Sequence, residues 1–171
     1  MWSGSVIALV AWAAGCAAPV DSNPWTDPTP QTWTNSAQEL DVLEAVFRYQ
    51  LAHNGSSAAA KGHVGYYFLS HGQPGQQEDP STVLMARFSD HTPPVAPVSD
   101  ADASARRVQH KEHGGRGVLL NIDRIRRVND RTMDVDGGYF ENGLSASGNT
   151  YRVVQRGREW VVVSVSEWWI S

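Results

Sequence analysis

A single cysteine, Cys16, in 171 residues cannot form an internal disulfide, so an exported form of the chain must fold without one. The apolar run from Val6 to Cys16 falls short of the roughly 20 residues that a membrane-spanning helix needs, and it breaks at Pro19 and Asp21. Basic charge is not in excess. Fourteen Lys and Arg against 18 Asp and Glu give a net charge of −4, which argues against nucleic acid as a partner, because duplex affinity comes largely from phosphate neutralisation. Serine-centred nucleophile elbows, phosphate-binding glycine loops and paired cysteines are absent too. Gly114-Gly-Arg-Gly117 has the glycines of such a loop but no Lys-Ser/Thr after them, and it reads as a flexible turn. No cofactor is expected.

What is present begins at the N-terminus. Val6-Ile-Ala-Leu-Val-Ala-Trp-Ala-Ala-Gly-Cys16 has the length of a signal-peptide apolar region rather than of a membrane helix. Ala13-Ala14-Gly15-Cys16 resembles the lipobox of bacterial lipoproteins. It departs from that pattern in having Ala13 where leucine is usual and no Lys or Arg in Met1–Ser5. The resemblance implies cleavage before Cys16, lipidation of Cys16, and a membrane partner reached through the acyl anchor in the bacterial cell envelope. Two buried chains already suffice for stable residence. An ordinary secretory signal cut near Ala18, giving a soluble secreted or periplasmic protein, is the other reading.

Residues 1–15 are therefore expected to be a signal peptide, 16–35 a proline-rich linker and 36–171 a single domain, since about 155 residues suit one domain better than two. Pro19, Pro24, Pro28 and Pro30 lie in the linker among Ser, Thr, Asn and Asp, a composition that favours extended chain. Of its two tryptophans, Trp33 is expected to dock on the domain, while Trp25 is open between docking and the headgroup region. Charge is uneven: residues 1–103 hold 3 basic and 10 acidic side chains, and residues 104–171 hold 11 and 8. Two solvated faces are the simpler reading; the alternative is that the basic back half lets a sheet face meet an anionic envelope surface, in a structural role.

Ser36-Ala-Gln-Glu39 is a capping box. Leu40, Leu43, Val46, Phe47 and Leu51 then recur at helical spacing, and Asn54-Gly55 supplies a left-handed stop. One long helix is predicted over Ser36–Asn54. Gly65-Tyr-Tyr-Phe-Leu-Ser70 predicts a short strand. Asp79-Pro80 predicts a cap and first residue for a short helix reaching Phe88. Pro93-Pro-Val-Ala-Pro97 forbids regular structure, and the loop is expected to continue through Ser104. Val118, Leu120 and Ile122 alternate with Leu119, Asn121 and Asp123, and Met133, Val135 and Tyr139 alternate with Asp134 and Asp136. Asn129-Asp130 and Arg156-Gly157-Arg158-Glu159 read as hairpin turns, and Leu144–Gly148 as a bulged lead-in to a strand. The fold class is α+β: a long N-terminal helix on a curved antiparallel sheet of about four to five strands. The helix and the terminal hairpin, Tyr151-Arg-Val-Val-Gln-Arg-Gly-Arg-Glu-Trp160-Val-Val, resemble the cystatin-like or NTF2-like superfamily. That resemblance implies either a catalytically silent binding module or a small-molecule isomerase, dehydratase or hydrolase. None of its catalytic motifs maps onto this chain.

The candidate chemistry is sparse. His110 and His113, three apart, would share a helix face and could hold Zn²⁺ with Glu112 or Asp102, but spacing specifies no third ligand, so no metal is expected. Asp134 and Asp136 share a strand face, with Asp123 beside them, and could form a carboxylate cluster of raised pKa. His53 and His71 could line the mouth of a cavity between helix and sheet, as a general base. Trp168 and Trp169 should point to opposite faces of their strand, leaving one to bind a glycan or an envelope protein. The sequence favours a binding or interaction module over an enzyme. An enzyme requires an enclosed cavity with converging His or Asp side chains, whereas a module requires a filled core and an exposed aromatic patch.

Overall fold

The computed structural model describes residues 31–104 and 106–170. The leader, Cys16 and Trp25 lie outside the described residues. Among the described residues no helix is long and apolar enough to cross a membrane.

Helix α1 spans Ala37–His53. The Ser36 hydroxyl caps it, accepting from the Glu39 N–H at 3.3 Å. The Glu39 carboxylate reaches past Ser36 and accepts from the N–H groups of Thr34 and Asn35 at 3.0 and 2.9 Å, so the box is wider than the spacing predicts. No left-handed residue ends α1. Asn54 is extended, and both its N–H and its side-chain amide return to the Gln50 carbonyl. A one-turn helix α2, Ser57–Ala60, follows. In the short helix α3, Thr82–Ala86, the cap is Ser81 rather than Asp79; the Asp79 carboxylate accepts instead from the Ser99 N–H at 2.8 Å.

The strands are β1 (Tyr66–His71), β2 (Val95–Pro97), β3 (Ala101–Ser104), β4 (Arg107–His110), β5 (Arg116–Asn129), β6 (Thr132–Asn142), β7 (Ser145–Arg156) and β8 (Glu159–Ile170). The α+β class holds, with α1 packed on one face of the sheet. The sheet itself has eight strands rather than four or five and is mixed, with main order β2-β1-β5-β6-β7-β8. Strand β1 lies parallel to both β2 and β5, and the other pairings are antiparallel. Strand β2 forms inside the proline cluster because it is an outer strand, paired only with β1, where a missing N–H is tolerated. The Pro94 carbonyl still accepts from Tyr67 N–H at 2.9 Å. Strand β3 pairs with β4, in a segment whose alternation is carried by the small Ala101 and Ala103 alone. The two predicted hairpins form, turning at Asp130-Arg131 and Gly157-Arg158.

The main core lies between α1 and the sheet. Leu40, Val42, Leu43, Val46 and Phe47 of α1 meet Leu69, Leu120, Ile122, Val135, Tyr151 and Val153, all buried. Five large aliphatic or aromatic side chains on one helix, each worth about 1.5–3 kcal/mol on burial, explain why α1 needs little intrinsic helicity. Trp33 packs on the edge of this core with its ring 4.5 Å from that of His71, and the Gln31 side chain accepts from Ile125 N–H at 2.8 Å. The docked segment therefore starts before Ser36. A second, smaller cluster, Phe68, Ala101, Val108 and Leu119, sits on the opposite face beneath the β3-β4 hairpin.

Candidate functional site

Beyond that smaller cluster the face opposite α1 opens into a trough of about 410 Å³, between the β3 region and the end of β8. Its floor is glycine. Gly138 of β6 lies opposite Gly148 of β7, which lies opposite Trp169 of β8. A methyl group on Gly148 would overlap the rings of both Trp168 and Trp169, and one on Gly138 would overlap the Ser147 carbonyl. The indoles can lie over the sheet only because these positions carry no side chain.

Strict alternation would put the two tryptophans on opposite faces. The β7-β8 register runs from Gly148-Trp169 to Asn149-Glu167, so Trp168 is an inserted residue, a β-bulge that re-aims its side chain. Both indoles therefore meet Gly148 and line the trough, with ring centroids 6.0 Å apart. Trp169 remains 42% exposed. Leu119, Phe140 and Val98 supply the rest of the apolar lining.

The polar end of the trough is made by a second bulge. Ile122 pairs with Gly137 and Arg124 with Asp136, leaving Asp123 as the extra residue of β5. Its carboxylate accepts a bond from the Asn121 side-chain amide, which also donates to the Gly72 carbonyl at 3.0 Å, while the Asn121 oxygen accepts from the Ser70 hydroxyl at 2.5 Å. Burial, with the charge of Asp136 adding to it, pushes the Asp123 carboxyl up from 3.8 to about 6 against the opposing effects of Asn121 and Arg124. A carboxyl that titrates near neutrality in a cleft is a recurrent mark of a functional site.

Asp134 and Asp136 lie further along the same face, both buried, and both are ion-paired. Asp134 accepts from Arg152 at 2.8 and 2.9 Å; the Arg152 bonds hold its carboxyl below the ordinary range, outweighing the upward push of burial. Asp136 accepts from Arg124, Arg126 and Thr150 at 2.7–3.2 Å. Arg124, Arg126 and Arg152, three of the basic side chains of the back half, are thus ion-paired with aspartates on the neighbouring strand β6. Of the three carboxyls considered from sequence, Asp123 is the one that faces the trough.

His110 and His113 are adjacent but not on a helix. His110 ends β4 and His113 lies in the turn after it, with the rings stacked 4.4 Å apart and Tyr66 against His110 at 4.7 Å. His110 Nδ1 accepts the N–H groups of Glu112 and His113. Among the described residues, no group of three His, Cys, Asp or Glu gathers as for a metal ion.

His53 and His71 are not brought together. His71 is buried against Trp33, within electrostatic reach of Glu39 in the first turn of α1, and desolvation lowers its pKa despite nearby Glu78 and Glu39. His53 lies at the other end of α1, where a cleft of about 330 Å³ separates the last helical turn from β6, β7 and the end of β8. Its ring stacks on Tyr49 at 4.2 Å and its Nδ1–H donates to the Tyr49 carbonyl at 3.0 Å. Gln50, 2% exposed, lines this cleft. Its amide nitrogen donates to the carbonyls of Asn121 and Gly138 at 3.2 Å and to the Tyr151 hydroxyl at 3.3 Å. Asn149 also donates to that hydroxyl at 3.3 Å, and burial pushes the Tyr151 phenol up to about 12.

No family model, curated protein or solved structure matches the chain. The site thus rests on its own geometry. Sequence reasoning missed the trough-lining roles of Asp123, Gly138 and Gly148; the signal for the glycines was their presence inside strands, which marks a bulge or a close approach.

Proposed function

We propose that this chain is a binding module of the cell envelope, and that the Trp168–Trp169 trough captures a sugar ring of a glycan. The observation that carries the reading is the pair of indoles laid over a glycine floor, with Asp123 and Asn121 at one end. Apolar ring faces stack on tryptophan, and the Asp123 carboxyl, held in place by the Asn121 amide, can bond the hydroxyls around the rim of the same ring. The space between α1 and the sheet favours a module over an enzyme: most of it is filled by Leu43, Val46, Phe47, Leu120 and Ile122, all 0–1% exposed. Among the described residues, the cleft left at the helix end gathers no His–Asp set, with His53 its one histidine and no aspartate in its lining. The cystatin-like or NTF2-like assignment fits the unit of α1 and the β5–β8 meander, with β1–β4 as an addition to it. Lipidation at Cys16 would hold the module at the membrane surface, within reach of envelope polymers.

The test is a titration of the full chain with chito-oligosaccharide and β-glucan oligosaccharide, read by tryptophan fluorescence and calorimetry. Saturable binding is expected for at least one of them, with at least tenfold loss in Trp169→Ala. Trp169 is partly exposed, so its removal should leave the fold intact. Binding unaffected by that change, or none to either probe, would dismiss the trough as a glycan site.

A further inference from the structure

The helix-end cleft lies on the α1 face of the sheet, away from the trough, and its chemistry is different. Gln50 lines it, and its side-chain oxygen Oε1 is buried and has no hydrogen-bond partner among the described residues. The orientation of that amide is fixed, because its nitrogen faces two backbone carbonyls that can only accept. A buried acceptor left unbonded forfeits the water it gave up on folding, so a donor arriving there recovers that loss.

The surroundings select the kind of donor. Tyr49, Tyr139 and Tyr151 present aromatic rings and phenolic oxygens, and Glu167 places a carboxylate at the exposed rim. The cleft also receives the C-terminal end of α1, whose terminal carbonyls carry partial negative charge that favours cations. Among the described residues no Lys or Arg lines it, and its one basic side chain, His53, has its Nδ1–H committed to the Tyr49 carbonyl. Val165 and Ile170 add an apolar wall. Acceptors, ring faces and a carboxylate without an opposing fixed cation make a cation site.

We infer that this cleft binds a primary ammonium group on a short apolar stem, with the ammonium donating to Gln50 Oε1, the Glu167 carboxylate at the rim attracting its charge, and the stem against Val165 and Ile170. The volume, about 330 Å³, is at the lower end of small-ligand sites. The group can come from a free small amine or from a lysine side chain of a protein partner, and both present the same chemistry.

The test uses amide-resolved NMR on the full chain with three probes: phenethylamine, its neutral counterpart 2-phenylethanol, and a blocked Gly-Lys-Gly peptide. Phenethylamine or the peptide should shift the Gln50 side-chain amide and the Glu167 backbone amide, saturating below about 10 mM, the weak end of specific binding. A response to phenethylamine identifies a small-amine site, and a response to the peptide alone identifies a lysine receptor. The alcohol should bind at least tenfold more weakly, and Glu167→Gln should weaken the amine at least threefold. Val165→Trp, at a position already 38% exposed, should fill the cleft and abolish the shifts without disturbing the core. Equal binding of the alcohol, retention in Val165→Trp, or no response to either ammonium probe would overturn the inference.

Discussion

Replacing Asp123 by asparagine should make the protein more stable at pH 8 and leave it unchanged at pH 4. Asparagine keeps an oxygen for the Asn121 amide while removing the charge that burial opposes. Raising a carboxyl from 3.8 in the unfolded chain to about 6 in the folded one amounts, at 1.36 kcal/mol per pH unit, to about 3 kcal/mol. The sign follows from linkage: the folded state binds the proton more tightly, so this group's contribution is intact below about pH 4 and is lost as pH rises through about 6. Urea denaturation followed by tryptophan fluorescence at pH 4 and pH 8 measures the difference between wild type and Asp123→Asn. With a slope of about 1–3 kcal/mol/M, the midpoint of the variant at pH 8 should exceed that of wild type by about 1–3 M. Asp134, whose pKa is lowered, imposes the opposite pH trend but is common to both proteins and cancels. Equal midpoints at both pH values, or a variant less stable at pH 8, would refute the assignment of Asp123 as a carboxyl held against its solvation. A chain that keeps such a group at a cleft gives up stability there, as functional sites commonly do.

Two further substitutions probe the neighbouring structure. Gly148→Ala should displace both indoles, since its methyl overlaps Trp168 and Trp169; a shift of the tryptophan emission and loss of oligosaccharide binding are expected, and unchanged emission would contradict the packing. Glu141→Gln should cost about 2–3 kcal/mol at pH 7, the scale of charged hydrogen bonds, because this 1% exposed carboxylate accepts from Ser145, the Ala58 N–H, Arg116 and Ser57. Burial pushes its pKa up but those bonds together hold it below 4.5. The wild-type advantage in denaturant midpoint should therefore shrink as pH falls below about 4.5, and a gap that stays constant down to pH 3 would count against it.

The parts of the fold that were legible in the sequence are those where a single period governs. Leu40, Leu43, Phe47 and Leu51 mark α1, and Val118, Leu120 and Ile122 mark the buried face of β5, because each set meets one continuous core. Strands β2 and β3 were not legible. Pro97 removes a donor, and in Ala101-Asp-Ala-Ser104 the alternation is carried by two small alanines alone; both strands exist through pairing with neighbours that the local sequence does not reveal. Asp134 and Asp136 were placed correctly on one face of β6, but their arginine partners on β5 and β7 depend on cross-strand register.

Register also explains why the trough was hidden while its tryptophans were not. Alternation assigns Trp168 and Trp169 to opposite faces, and only the extra residue at Trp168 brings both to Gly148. The same insertion sets the other side of the sheet. Glu167 stands opposite Asn149 and Ile170 opposite Ser147, so these two side chains fall on the α1 face and line the helix-end cleft, while Trp169 between them faces the trough. The bulge therefore supplies both indoles to one site and turns Ile170 toward the other, which Val165 and Glu167 reach by plain alternation. Bulges concentrate where a strand must re-aim its side chains, and β8 lines a cavity on each face of the sheet within its last four described residues.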